Sequence, residues 1–234
     1  MYEAVHAVPD GDSTVARHAA TAAEYGFDGV VVRNHSDERA EYDADRVADE
    51  YGVDVVDGLE IRADDPAEAS GHVGNFRPKT TVLLLHGGTT ALNRFAVESD
   101  RVDVLAHPMR GRGDFNHVLA KAATDNDVHV EFDLSRVLRD DGGPRVQALQ
   151  GLRKLRELVE KYDAPYVVSA EPRTHLQMRA PRELLAVGET VGFSREQVET
   201  GLREWGRIAE RNRERQSDAF IGPGVKRGRY EEDD

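Results

Sequence analysis

Residues 81–86, Thr81-Val82-Leu83-Leu84-Leu85-His86, and residues 102–107, Val102-Asp103-Val104-Leu105-Ala106-His107, are two short apolar runs that each close on a histidine. Runs of this length, with helical stretches between them and turn chemistry after each, read as parallel strands joined by crossover helices. Five more occur, near Glu3 to Val8, Gly29 to His35, Val53 to Ile61, Val128 to Leu134 and Tyr166 to Ala170. Seven β/α units without an evident linker predict an α/β fold, a TIM-like (β/α) barrel with about seven parallel strands. A doubly wound open sheet is permitted by the same pattern, but no Gly-x-Gly-x-x-Gly follows the first strand.

The helical segments carry their own punctuation. From Pro144 to Tyr162, Val146, Leu149, Leu152, Leu155, Val159 and Tyr162 recur at helical spacing, with Pro144 suited to a first turn. A second helix runs from Pro181 to Val191 and stops at Gly192. Ser194 and Gln197 form a capping box for a third, which carries Val198, Leu202, Trp205 and Ile208. These elements predict one barrel domain over 1–215, with 216–234, around Gly222-Pro223-Gly224, as a flexible tail.

Composition narrows the function classes. With 234 residues the chain is long enough for a sizeable core, and no apolar run approaches the roughly 18 residues of a membrane span. No basic region followed by an apolar stretch opens the sequence, so a cytoplasmic location and no membrane partner are expected. The absence of cysteine excludes disulfides, thiolate zinc sites and a cysteine nucleophile. A net charge of −13, with five lysines against twenty-six arginines, suits a protein working in concentrated salt, where screening suppresses self-repulsion. The acidity is mostly N-terminal: residues 1–105 hold 9 basic and 21 acidic side chains, residues 106–230 hold 22 and 19.

In a β/α barrel the carboxyl ends of the strands face the functional mouth. His35, His86 and His107 close runs two, four and five; Glu60 and Glu131 lie in runs three and six. Imidazoles and carboxylates converging there could bind divalent metal and activate water for phosphoester hydrolysis. For any single histidine, a hydrogen-bonded polar residue of the barrel rim is the more ordinary reading.

These positions resemble the polymerase and histidinol phosphatase superfamily of metal-dependent phosphoesterases: His35 after strand two, Gly58-Leu59-Glu60, and Ala106-His107-Pro108. Two departures stand out. Where that family has His-x-His, the first strand reads Tyr2-Glu3-Ala4-Val5-His6-Ala7, and where it has Ser-Asp-x-His, this chain has Ser169-Ala170-Glu171-Pro172-Arg173. A shortened ligand set implies a retired active site.

A closer resemblance, to the ribonuclease P protein component 3 family, accounts for those losses. It rests on Gly29-Val30-Val31-Val32-Arg33-Asn34-His35, on Val104-Leu105-Ala106-His107-Pro108, and on Val167-Val168-Ser169-Ala170 with Arg179-Ala180-Pro181-Arg182-Glu183-Leu184 and Gly192-Phe193-Ser194. The resemblance implies a non-catalytic subunit that, with protein component 2, supports a catalytic RNA in endonucleolytic removal of 5′ leaders from precursor tRNA. It implies no catalytic residue, metal or cofactor on this chain, with Mg²⁺ serving the RNA holoenzyme. The rival implication is a metal-dependent phosphoesterase with His35, Glu60, His86 and His107 as ligands.

RNA contact needs local positive charge even on an acidic protein. The candidates are Arg173, His175, Arg179 and Arg182 after the last strand, Arg110 and Arg112 after the fifth, and Lys226, Arg227 and Arg229 in the tail. By contrast, Arg203, Arg207, Arg211 and Arg215 alternate with glutamates at helical spacing and read as a charged helix face.

Overall fold

The computed structural model describes residues 1–111 and 113–217, together with the backbone of 220–222 and 225–226. Seven strands, β1 (Tyr2–Val5), β2 (Gly29–Val32), β3 (Asp54–Ile61), β4 (Val82–His86), β5 (Val104–Ala106), β6 (His129–Asp133) and β7 (Tyr166–Ser169), pair in parallel in sequence order. Around them lie α1 (Val15–Tyr25), α2 (Ala44–Tyr51), α3 (Pro66–Phe76), α4 (Thr90–Val97), α5 (His117–Asp125), α6 (Ser135–Arg139), α7 (Gly142–Tyr162), α8 (Pro181–Val191) and α9 (Arg195–Gln216). This is the expected seven-stranded TIM-like barrel, nearly closed.

Local chemistry sets the helix ends. Thr14, Asp65 and Asn116 accept from first-turn amides of α1, α3 and α5, and Ser194 and Gln197 form the expected reciprocal box at α9. In α7 the buried face is Leu152, Leu155 and Val159, while Val146 is 52% exposed, so the apolar stripe read from the sequence starts a turn later than its spacing implied. Beyond α9 the backbone of β8 (Phe220–Gly222) and β9 (Val225–Lys226) pairs antiparallel.

Two apolar layers divide the interior. The larger lies between strands and outer helices; the smaller fills the barrel with small residues such as Ala4, Val31, Val56, Val104 and Ala106. Trp205, Ile208 and Ala209 of α9 enter this inner layer from the amino-terminal end. Trp205 is fully buried and its indole N–H donates to the Val168 carbonyl at 2.9 Å. Gly201 lets the helix come this close, because a Cβ there would meet the Val168 side chain at 2.6 Å. Asn212 donates to Thr81 and Asp103, and Arg213 makes a bidentate pair with Asp54, tying α9 across the starts of β4, β5 and β3. Arg203 and Arg207 do pair along the helix, but Arg211 reaches Asp103 and Asp127 instead.

At the seam between β1 and β7 no ladder forms. The buried Glu3 carboxyl accepts through one oxygen from the amides of Ala4 at 3.0 Å and Ala170 at 2.9 Å, and the His6 amide donates to Pro172. A side chain thus supplies the acceptor that a strand would have offered.

Candidate functional site

Every strand delivers a polar residue to the carboxyl end of the barrel. His35, Glu60, His86 and His107 converge as the sequence implied: around Glu60 Oε1, His86 lies at 2.5 Å, His107 at 3.6 Å and His35 at 3.7 Å. Glu131 from β6 joins them, accepting from the Ser169 hydroxyl at 2.7 Å. Sequence reasoning missed three carboxylates. Asp10 accepts from His6 at 2.6 Å and from both the ring and the amide of His35. Asp133 lies 3.3 Å from His107, and Glu171 lies 3.3 Å from His107 and 3.2 Å from His6. They lie at strand ends or in loops, with no motif spacing to announce them.

Arg33 was also missed as a site residue. It follows the apolar Gly29–Val32 strand, and its side chain is fully buried beneath the histidines. Its guanidinium donates to Glu60 at 2.9 and 2.6 Å and to both oxygens of Glu131. A charged residue ending a valine run is a signal of this kind, since an uncompensated buried charge is prohibitive.

The electrostatics follow from these pairings. Burial alone would raise the Glu60 carboxyl, but Arg33 and the bonds from His35 and His86 hold it well below the ordinary range. Burial likewise opposes charge on Arg33, and Glu131 and Glu60 outweigh it. His107, penalised by burial yet facing Glu171, Asp133 and Glu60, is held well above the ordinary imidazole value, and Glu171 is correspondingly lowered. Asp10 is lowered because the bonds from His35 and His6 overcome its desolvation. His107 and Glu171 both have positive φ, 51° and 47°, a region that costs a non-glycine residue strain and that clusters at functional sites.

Among the described residues, three triads have ligand atoms within 4.8 Å of one another: His6, Asp10 and His35; His35, Glu60 and His86; His107, Asp133 and Glu171. The Nε2 atoms of His6, His35 and His107 face carboxylates, Glu171 at 3.2 Å, Glu60 at 3.7 Å and Glu171 at 3.3 Å, without a well-aligned hydrogen bond. Yet Arg33 already binds Glu60 Oε2 and both oxygens of Glu131, and any cation bridging from Glu60 would face its like charge. A centre bridged through Glu60 and Glu131 therefore does not fit, whereas the triads of His6, Asp10 and His35 and of His107, Asp133 and Glu171 contain neither residue.

The arginine candidates divide. Arg110 is exposed at the mouth; Arg173 is there too, paired with Asp10 at 2.6 Å. His175 contacts the Ser13 hydroxyl, Arg179 donates to the carbonyls of Leu176 and Met178, and Arg182 is exposed at the start of α8. Arg112, Arg227, Arg229 and the side chain of Lys226 lie outside the described residues. Arg62, Arg136 and Arg139, not singled out from the sequence, line the mouth beside Arg110 and Arg173.

Fold and mouth together define a TIM-like β/α barrel whose carboxyl-end mouth gathers histidines and acids around a buried arginine. The chain belongs to the family of RNase P subunit p30, whose model matches residues 1–217. Ribonuclease P protein component 3 of Haloarcula marismortui is 66% identical over 97% of this chain and 96% of its own length, in keeping with the salt-adapted composition. A chain in a cryo-EM structure of archaeal ribonuclease P with mature tRNA matches with a TM-score of 0.83 and 25% identity, covering 100% of both chains. Histidinol phosphate phosphatase of Lactococcus lactis, complexed with zinc, L-histidinol and phosphate, matches over 82% of this chain and 94% of its own at a TM-score of 0.57. At 10% identity that likeness shows the fold alone. Among the described residues no helix is long and apolar enough to cross a membrane.

Proposed function

We propose that this chain is a protein subunit of ribonuclease P that supports the catalytic RNA in removing 5′ leaders from precursor tRNA and performs no catalysis itself. Family membership over nearly the whole chain, and the likeness to a chain of an archaeal ribonuclease P complex, support the assignment to the complex. The observation that carries the non-catalytic part is Arg33: a guanidinium, which neither activates water nor exchanges ligands, neutralises Glu60 and Glu131. In this reading Mg²⁺ belongs to the RNA and the chain carries no cofactor. Protein component 2 is its partner, bound through the acidic N-terminal half, which is a poor surface for phosphate.

The rival reading, hydrolysis of a small phosphoester by metal held in the triads, draws on the imidazole nitrogens that make no well-aligned hydrogen bond. The isolated chain, incubated with Mg²⁺, Mn²⁺ or Zn²⁺ and phosphoester substrates, separates the two. No turnover is expected; metal-dependent turnover that His107→Ala abolishes would establish the rival.

A further inference from the structure

Arg110 and Arg136 border two adjoining cavities. The mouth itself, about 420 Å³, is lined by five arginines, Arg62, Arg110, Arg136, Arg139 and Arg173, against two acidic residues, Asp140 and Glu171. The second, about 170 Å³, is a cleft between the loop after β5 and α7. One side of it is apolar, from Pro108, Met109, Ala148, Leu152 and Leu155, and the other is polar, with Gln147, Asp133 and Glu131 beside the two shared arginines.

The two cavities differ in what they can hold. In the mouth, Arg139 donates one N–H of each outer nitrogen to the carbonyls of Ala170 and Glu171, and neither it nor Arg110 has a carboxylate partner among the described residues. Arg136 is bonded to Asp140 only through Nε, leaving its outer nitrogens free. The nearby acids are engaged elsewhere, Glu171 by His107 and His6 and Glu131 by Arg33. The mouth therefore offers surplus guanidinium donors to an anion.

In the cleft the telling residue is Gly151. It sits mid-way along α7, where glycine costs up to about 1 kcal/mol relative to alanine. A Cβ there would point at Met109, 3.6 Å away, with nothing else within 4 Å, so any larger side chain would fill the cleft. The helix gives up stability at a position whose side chain would narrow the cleft. Met109 offers a polarisable face to a planar ring, and the Gln147 amide can both donate and accept at a ring edge.

We infer that the double cavity binds one nucleotide unit, its phosphate held by Arg110, Arg136 and Arg139 and its base in the cleft beside Gly151. Resting on the subunit reading, the nucleotide is an unstacked residue of RNA, since single-stranded bases are recognised when splayed out of the helix. Concentrated salt weakens phosphate contacts but not the packing of a base against Pro108, Met109 and Leu152, so such a site would keep RNA attached where a charge-only surface would not.

The test is photocrosslinking of the complex reconstituted from RNA and the full set of proteins, with crosslinked peptides mapped. Gly151→Leu closes the cleft while favouring the helix; Arg110→Gln removes an exposed mouth donor. A crosslink at the Met109–Arg110 loop or α7 is expected, falling about ten-fold in each variant, as loss of one stacked base implies. RNA binding without a crosslink there, or a crosslink that both variants leave intact, overturns the nucleotide site while the subunit reading stands. If the chain brings no RNA contact at all, the subunit reading falls. Titration of the isolated chain with nucleoside monophosphates then decides: binding weakened by both variants makes a free nucleotide the source, and no binding overturns the site.

Discussion

The Arg33 guanidinium places Nε and Nη2 on the same oxygen of Glu60, at 2.9 and 2.6 Å, with both side chains fully buried. Across the barrel it also holds Glu131. Two carboxylates at the heart of a barrel need positive charge, and here the chain supplies it covalently.

Arg33→Met is therefore expected to destabilise the chain by about 3–5 kcal/mol, because it strands two buried carboxylates. Replacing the whole cluster, Arg33→Met with Glu60→Gln and Glu131→Gln, should recover much of that loss. Urea denaturation in high salt measures both. A single variant as stable as the wild type would show that the guanidinium is not the counterion of these acids.

Glu3 ties stability to pH. Burial pushes its carboxyl from an ordinary 4.5 up to about 8, against the two amides it accepts from. The folded chain thus holds a proton that the unfolded chain has released, so this contribution is full below 4.5 and is lost as pH rises through about 8. Glu3→Gln keeps an acceptor for Ala4 and Ala170 and cannot ionise; it should flatten the decline and gain about 1–3 kcal/mol over wild type above pH 8. Thermal denaturation across pH reads this, and parallel profiles would count against it.

The α9 plug makes folding depend on the C-terminal helix. Trp205→Ala should cost about 3–5 kcal/mol by emptying the inner layer from below. Calorimetry gives the value. A loss under 1 kcal/mol, on the order of a surface substitution, would mean α9 is dispensable to the barrel.

Replacing Arg110, Arg112, Arg179 and Arg182 together by alanine should impair reconstituted ribonuclease P at limiting protein and reduce the salt dependence of RNA binding. Leader removal from precursor tRNA across a salt series is the measurement. Full activity of the quadruple variant would move the RNA surface elsewhere.

With protein component 2 present, this chain is expected to stimulate RNA cleavage well beyond its effect alone. Reconstitution in high salt with Mg²⁺ and either protein or both checks this. Equal stimulation by this chain alone would end the partnership reading.

Sequence alone determined the order of seven parallel units, the capping box at Ser194 and Gln197, and the convergence of His35, Glu60, His86 and His107. These follow from local signals: apolar runs alternate with helices, caps satisfy their own first turns, and strand ends in a parallel barrel must share a mouth. Only the tertiary structure decided what that mouth contains. Asp10, Asp133 and Glu171 reach it from loops or strand ends without motif spacing, and Arg33 turns inward because Glu60 and Glu131, 27 and 98 residues away in the chain, wait there. The same holds for α9, whose periodicity marks an apolar face but not that it plugs the barrel floor, and for Glu3, whose role exists only where β1 meets β7. Local patterns are set by neighbours in sequence. Charge compensation is set by neighbours in space, which exist only once the chain has closed around them.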